Sequence, residues 1–313
     1  MPSIPTVVFL SLCVIWGLSW VAIKYSLQDI PPLLGVAGRC ALAALTLGLF
    51  ARFRRKRLLI TPRDLRLVAL TGMVLYSGNY GLIHWSEQRL TAGVTAVLFS
   101  TYPIFVALQN DVLKLAPRQE HWKTYIGLSV CLIGILTLFY EDFFSMRAGW
   151  YVIVPSAAVL VASFLAAGMT LFAKHRLSHL DPVTMAYYQL LLGFWPALLL
   201  SLSLGEASQV RLKPGSLIAL LYLGIFASAL AFALFYWLLA QMSAVRLTLF
   251  VYITPLVAIG SVWVLLGEVP QPRFLAGTGL VLTGILLCPQ PRRASRRSSR
   301  REGREKVSGK RPD

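Results

Sequence analysis

Runs of about 20 mostly apolar residues recur along almost the whole chain, separated by short polar or Gly- and Pro-bearing joints. A helix needs a run of this length to cross the hydrocarbon core of a bilayer. The runs lack the period-2 alternation of a membrane barrel, so helices are the remaining way to satisfy the backbone in lipid. We count ten runs, at residues 5–26, 33–51, 66–86, 92–113, 122–140, 149–174, 182–204, 215–240, 247–267 and 272–289.

The composition agrees with a membrane protein. Of the 313 residues, 57% are hydrophobic and 14% are charged, whereas a soluble domain carries about 25% charged residues. The first run lacks the positive flank and the cleavage-like end of a signal peptide, so we interpret it as a retained membrane helix. The four cysteines lie inside the apolar runs without metal or disulfide spacing. The chain is therefore predicted to be an all-α integral membrane protein without metal or cofactor.

The net charge of +17 is concentrated in alternate loops and in the tail. Lys and Arg cluster in residues 52–57, in residues 114–123, at Lys174 and Arg176, and from Arg292 onward. By the positive-inside rule, these loops and both termini are predicted to be cytoplasmic, in a multi-pass protein of the inner (plasma) membrane. The basic tail and loops either contact anionic lipid headgroups or serve only as topology determinants beside a solvated tail. Because the charges lie in alternate loops, nucleic acid is not expected as a partner.

The two halves of the chain repeat one another. "LTAGVTAVLFSTYPIFVAL" begins at Leu90, and "MSAVRLTLFVYITPLVAIG" begins 152 positions later. Lys24 matches Lys174 at a spacing of 150, and Pro103 matches Pro255 at a spacing of 152. The pattern therefore predicts two copies of about five helices each.

Because five is an odd number, the second copy must enter the membrane the opposite way up. Inverted repeats of this kind are typical of secondary transporters, which open a central cavity to either side in turn. We expect ten transmembrane helices in two inverted five-helix repeats around a central cavity. The expected units are residues 1–145, residues 146–290 and a basic, disordered cytoplasmic tail at residues 291–313.

Three stretches resemble a known family: "IWGLSWVAIKYSLQDIPPLLGVAGRCALAAL", "SAVRLTLFVYITPLVAIGSVWVLLGE" and "GTGLVLTGILL". They look like the EamA family of the drug/metabolite transporter superfamily, over residues 15–287. The resemblance implies ten helices around a cavity and efflux of small metabolites, often amino acids, or of amphiphilic toxic compounds from a bacterial inner membrane. One departure is that the Gly-Glu pair that often ends a helix in this family is present only as Gly267 and Glu268.

Aromatic and small polar side chains within the runs are candidates for the wall of such a cavity. Asn79 in an apolar helix needs a partner helix or water, and Arg39 could hold a carboxylate or brace backbone carbonyls. The candidate substrate-binding residues are Trp16, Ser19, Arg39, Tyr76, Asn79, Tyr80, Tyr102, Gln189, Tyr236 and Tyr252.

Prolines at matched positions of two halves often mark broken helices beside a transport site, so Pro103 and Pro255 are hinge candidates. No Asp or Glu lies at the centre of the first, second, third, sixth or eighth run, which argues against a pump built on a central carboxylate. His84, Glu87 and Asp111 are the candidates for proton coupling.

The favoured function is an exporter of small metabolites such as neutral or aromatic amino acids, working by alternating access on a small-molecule substrate. Within the transporter class, a drug exporter and a phosphorylated-metabolite carrier stay open, as does a homodimer. From another class, an intramembrane enzyme would need a catalytic cluster, and the four histidines do not form one. The chain is therefore expected not to be an enzyme.

Overall fold

A computed structural model describes residues 3–115, 121–141, 149–211, 213–257 and 272–288. The predicted tail at residues 291–313 and the Gly267–Glu268 pair lie outside these residues. The described residues are almost entirely helical.

Pro residues at the start and flanking polar turns delimit most of the helices, as expected from the fixed φ of Pro at a first helical turn. We number the helices in chain order. They are α1 (Ile4–Ser26), α2 (Pro32–Phe53), α3 (Pro62–Gly72, a π-helical segment Met73–Tyr80, and Gly81–Glu87), α4 (Ala92–Phe99 and Tyr102–Val112), α5 (His121–Leu138), α6 (Trp150–Arg176), α7 (Pro182–Ser203), α8 (Pro214–Gly224, a π-helical segment Ile225–Leu230, and Ala231–Gln241), α9 (Ala244–Thr248 and residues 250–257) and α10 (Pro272–Leu287).

Six of the described helices are long and apolar enough to cross a membrane, namely α1, α2, α4, α6, α7 and α8. The helices α5, α9 and α10 are apolar but shorter. The predicted all-helical membrane protein is therefore confirmed at this level, and the inverted ten-helix arrangement stays a prediction.

Close backbone contact joins α7 to α3. A Cβ atom added at Gly72 would lie 2.4 Å from the Gln189 carbonyl oxygen, and one at Gly193 would lie 2.7 Å from the Gly72 carbonyl oxygen. Real Cβ atoms do not approach a backbone so closely, so these glycines let the two helices touch. Small residues allow this type of packing between membrane helices.

The pair α5 and α10 packs in the same way at the other end of the molecule. A Cβ atom at Gly127 would lie 2.7 Å from the Gly284 carbonyl oxygen, and one at Gly134 would lie 2.8 Å from the Gly277 carbonyl oxygen. Four glycines thus bring two apolar helices into backbone contact along two turns.

Polar links connect the two halves at both ends of the helices. Asp29, in the turn after α1, accepts a hydrogen bond of 2.6 Å from the Ser216 hydroxyl and pairs with the Lys213 ammonium at 3.0 Å. At the opposite end, the Lys56 ammonium pairs with the Asp181 carboxylate at 2.7 Å. The hydrogen bond from Ser216 and the contact with Lys213 hold the pKa of Asp29 below its ordinary value.

This lowered pKa predicts an acid-sensitive contribution of Asp29 to stability. Because the carboxyl has a lower pKa when folded, its contribution is present above its unfolded pKa of about 3.9 and is lost as the pH falls through the folded value. We expect Asp29→Asn to lower the melting temperature in detergent at pH 7 and to flatten its dependence on pH below pH 4. Identical acid dependence of variant and wild type would contradict the link.

Candidate binding cavity

A cavity of about 100 Å³ lies among α1, α2, α3, α4, α6, α8 and α9. By the same measure a single water needs only about 10–15 Å³, so the cavity has room for a small solute or several waters. Its described wall consists of Trp16, Ser19, Trp20, Arg39, Leu75, Asn79, Tyr80, Ile83, Phe99, Tyr102, Ala166, Thr170, Phe232, Phe235, Tyr236, Phe250, Val251 and Thr254.

Seven of the ten residues predicted from the sequence to bind substrate lie in this wall. They come from five different helices, so tertiary packing brings them together. These residues are Trp16, Ser19, Arg39, Asn79, Tyr80, Tyr102 and Tyr236.

Arg39 carries the charge of the cavity, because no other residue in the described wall is ionised at neutral pH. Its side chain is only 2% exposed. The guanidinium lies 4.2 Å from the centre of the Tyr80 ring, and its Nε–H donates a hydrogen bond of 3.0 Å to the Ser228 hydroxyl. A guanidinium has five N–H donors, and the bond to Ser228 uses one of them.

The π-helical segments of α3 and α8 hold Arg39 in place. Tyr80 ends the segment in α3, and Ser228 lies within the segment in α8. The Trp16 indole N–H donates 3.0 Å to the carbonyl of Ala227 in that same segment. Single π-helical turns inside α-helices are frequent at functional sites.

Much of the remaining wall is aromatic. The Trp16 ring centre lies 5.5 Å from Phe232, 5.6 Å from Phe235 and 4.4 Å from Phe250. Such tilted and edge-to-face contacts add stability beyond area burial, so they rigidify the ring cluster. The cavity wall thus combines one cation, Arg39, with a cluster of aromatic rings.

The neutral polar residues of the wall are tied to neighbouring helices. The Asn79 amide donates 2.5 Å to the Ala162 carbonyl, and the Tyr102 hydroxyl lies 2.7 Å from the Thr170 hydroxyl. Asn79 therefore has the helix partner that its apolar surroundings require. These bonds position the side chains along the wall.

Three predicted residues lie away from the wall. Gln189 is buried behind it, where its amide donates 2.7 Å to the Thr71 hydroxyl and its oxygen accepts from the Tyr236 hydroxyl. Tyr76 is fully buried against Tyr80 and Phe232.

Tyr252, the third of them, belongs to the second apolar core between α4, α5 and α10. Its hydroxyl donates 3.2 Å to the Leu128 carbonyl. Gln189 supports the wall through Tyr236, whereas Tyr252 joins α9 to α5.

The two predicted hinge prolines occupy different places in their helices. Pro103 is buried at the first turn of the second half of α4, directly after a break at Ser100 and Thr101. Pro255 lies inside residues 250–257, six positions after the break at Leu249. Both helices are interrupted close to the wall, but the interruptions are not at equivalent positions.

The three candidates for proton coupling are separated. His84 and Glu87 are buried on the last turns of α3, 1% and 0% exposed. Asp111 lies at the far end of α4, where its carboxylate accepts 2.9 Å from the Tyr125 hydroxyl. Only the first two are near the cavity, since Tyr80 lies one turn before His84 on the same helix.

The wall also contains residues that sequence reasoning did not select. The sequence gives no sign that four residues of apolar helices face a cavity, namely Trp20, Phe99, Thr170 and Thr254. Phe232 and Phe235 could have been found, because Phe235 and Tyr236 follow Phe232 at the helical spacings of three and four.

The sequence pattern of the EamA-like transporter family matches residues 4–140 and, a second time, residues 155–288. Relatives cover nearly the whole chain. The uncharacterized transporter YoaV of Bacillus subtilis (strain 168) is 27% identical, over 89% of this chain and 94% of its own length. A protein of Streptantibioticus cattleyicolor named "Probable terminal-alkyne amino-acid exporter" is 29% identical, over 93% and 95%.

The uncharacterized inner membrane transporter YedA of Escherichia coli (strain K12) is 26% identical, over 80% of this chain and 78% of its own length. A protein known from a crystal structure shares the fold, with a TM-score of 0.75 at 14% identity, over 95% of this chain and 98% of that one. The apolar helices, the cavity between them and the family pattern in both halves agree with each other. The chain therefore belongs to the EamA-like transporter family and is a multi-pass membrane transporter of small molecules.

Proposed function

We propose that this transporter exports small neutral amino acids, including aromatic ones, by alternating access. The observation that carries the proposal is a single buried cation, Arg39, in the wall of a cavity that is otherwise largely aromatic. The amino-acid exporter among the relatives, 29% identical, supports the same substrate class.

Arg39 recognises the carboxylate of the solute in this proposal. A buried charge in a membrane protein costs several kcal/mol unless it is paired, hydrogen-bonded or wet. Ser228 and the Tyr80 ring offset part of that cost. A solute carboxylate would offset the rest of this cost, because the planar fork of the guanidinium binds carboxylates with two parallel hydrogen bonds.

The aromatic cluster around Trp16 receives the side chain of the solute. Its rings offer apolar area to a side chain and π faces to an ammonium group. The described wall contains no acidic residue, so it favours solutes whose positive charge is compensated within the molecule over free cations. One arginine is also a weak site for a phosphoryl group, which carries more charge than one cation compensates.

The inverted repeat underlies the proposed transport cycle, with units at residues 1–145 and 146–290. Two lysines support it. The Lys24 ammonium donates to the carbonyls of Glu87 and Leu90, the latter at 2.7 Å. Its counterpart Lys174 donates to the carbonyls of Leu239 and Met242, the latter at 3.1 Å.

Both pairs of carbonyls are related by 152 positions, the spacing of the sequence repeat. The π-helical segments Met73–Tyr80 and Ile225–Leu230 begin at the same spacing. We therefore propose ten membrane helices in two inverted units, with both termini in the cytoplasm. The basic residues 291–313 would then lie at the cytoplasmic face.

Liposomes test the proposed function directly. Purified protein is reconstituted into vesicles loaded with radiolabelled phenylalanine, tyrosine, tryptophan, leucine and alanine, and efflux is compared with protein-free vesicles. We expect selective efflux that the unlabelled amino acids inhibit in order of affinity. Efflux of none of them, with intact protein in the membrane, would overturn the amino-acid assignment.

Removing Trp16 is expected to change selectivity more than overall activity. Trp16→Ala enlarges the cavity and deletes three ring contacts. We expect kcat/KM for aromatic amino acids to fall about tenfold or more relative to alanine, since a few lost apolar contacts are worth about 1–3 kcal/mol of discrimination. Trp122→Ala, at a tryptophan 63% exposed on α5, is the matched control and should change neither value. An equal loss for all solutes would contradict the assigned role.

A further inference from the structure

Glu87 is a buried carboxyl group without a hydrogen-bond partner among the described residues. The residue is 0% exposed, and neither of its carboxylate oxygens accepts a hydrogen bond. It also occupies the last residue of α3, where helix carbonyls disfavour a negative charge. An ionised carboxylate in such a place is strongly disfavoured, and a bound proton removes the cost.

The carboxyl group is not needed for the local fold. Lys24 binds the backbone carbonyl of Glu87, and in the second half Lys174 binds the backbone carbonyl of Leu239 at the equivalent position. Leu239 is buried to a similar degree, at 3% exposed. An apolar side chain therefore serves the same structural purpose, and the acid at residue 87 needs another explanation.

A second unpaired titratable group lies one turn earlier. His84 is 1% exposed, its Nδ1 is bonded at 2.9 Å to the Tyr80 carbonyl, and its Nε2 has no partner among the described residues. Tyr80, His84 and Glu87 follow one another at spacings of four and three, so they share one face of α3. This face leads from the cavity wall, at Tyr80, to the end of the helix.

Within the part of the chain that the structure describes, the charged groups around Glu87 are cations. Lys24 of α1 and Arg39 of α2 act on it electrostatically. Arg89, in the following turn, is stacked on the Trp85 ring at 4.7 Å. From α6, Pro155 contributes only a backbone carbonyl, which accepts from Ser86. The described parts of α4 near Glu87 contain Thr91 and Thr95 but no ionisable side chain.

We propose that Glu87, with His84 as its relay to the cavity, is a proton-binding site that couples export to an inward proton flow. The site rests on the proposed transport function. A proton enters from the outer face, binds the Glu87 carboxylate, and leaves to the cytoplasm when the cavity faces inward. One solute molecule moves outward for each proton that moves inward.

The test compares two transport modes in liposomes with labelled phenylalanine, tyrosine, tryptophan, leucine and alanine. In wild-type protein, an inward gradient of about one pH unit should drive a solute gradient of up to about tenfold for one proton per solute. In Glu87→Gln, that stimulation should be lost, while exchange of labelled for unlabelled solute across the membrane continues. Glu141→Gln, at an exposed carboxyl group beyond α5, is the matched control and should keep full stimulation.

A second variant protects the test against misfolding. Glu87→Leu reproduces the side chain found at residue 239 and is expected to fold and to behave as Glu87→Gln does. Glu87→Asp retains an acid and should retain stimulation with a displaced pH profile. Proton uptake into the vesicles, followed with a pH-sensitive dye, should accompany wild-type efflux and be absent in Glu87→Leu.

The outcomes separate the two proposals. Efflux in wild-type protein that ignores the gradient and moves no protons would overturn the proton site and leave the exporter intact. Stimulation that survives in Glu87→Gln and Glu87→Leu would also overturn it. Failure of every amino acid to exchange, with or without a gradient, would instead count against the proposed function.

Discussion

Replacing Arg39 with alanine is expected to abolish transport of solutes that carry a carboxylate. The variant removes the one cation of the described cavity wall and leaves Ser228 and Tyr80 without their partner. Removing one member of a buried, hydrogen-bonded charge pair costs about 2–5 kcal/mol, which corresponds to a loss in affinity of about 30-fold or more. Efflux from liposomes at matched protein density measures the effect.

Two further variants separate charge from geometry at Arg39. Arg39→Lys keeps the cation but cannot bind a carboxylate through a planar fork, so it should transport with reduced affinity. Arg89→Ala removes an exposed arginine that is stacked on Trp85, and efflux should be unchanged. Normal efflux in Arg39→Ala would show that this residue braces α2 against α8 and does not contact the solute.

Gly72→Ala is expected to cause one of the largest losses of stability among Gly→Ala substitutions at the described glycines. The added Cβ would lie 2.4 Å from the Gln189 carbonyl oxygen, so α3 and α7 would have to separate. Overpacking a tight contact costs about 1–3 kcal/mol and occasionally more. We expect the unfolding temperature in detergent to fall by several degrees, with Gly72→Leu failing to accumulate in the membrane.

Gly279→Ala is the matched control for this effect. Gly279 lies within α10, and a Cβ atom there would meet nothing within 4 Å. Alanine is favoured over glycine in a helix interior by about 1 kcal/mol, so this variant should be as stable as wild type or more stable. Equal losses at both positions would mean that helix flexibility, not contact between α3 and α7, explains the result.

The membrane character of the chain could be predicted because it depends on the length of apolar runs alone. A helix of about 20 apolar residues satisfies its own backbone in lipid whatever its neighbours do. The positions of α1, α2, α6 and α7 therefore followed within a few residues from the printed sequence. The π-helical segments Met73–Tyr80 and Ile225–Leu230 could not be predicted, because no simple sequence period indicates a π-helical turn.

The third helix shows how far an α-helical spacing predicts which side chains line the cavity. An α-helical spacing from Tyr76 through Tyr80 to His84 predicts one shared face. In the structure Tyr80 lines the cavity, while Tyr76 and His84 are buried beside it. The ring centres of Tyr76 and His84 lie 5.6 Å and 6.2 Å from that of Tyr80, so the three side chains do lie together, but only Tyr80 borders the cavity.

The sequence by itself determined that this is a multi-pass helical membrane protein whose two halves repeat one another. It also supplied a short set of polar and aromatic candidates for the cavity wall. Only the tertiary structure decided that Arg39 and Tyr80 face the cavity while Gln189 and Tyr252 lie outside its wall. The physical reason is that these helices are apolar on every side, so no hydrophobic stripe sets their rotation. Close contacts such as Gly72 against Gln189 set it instead.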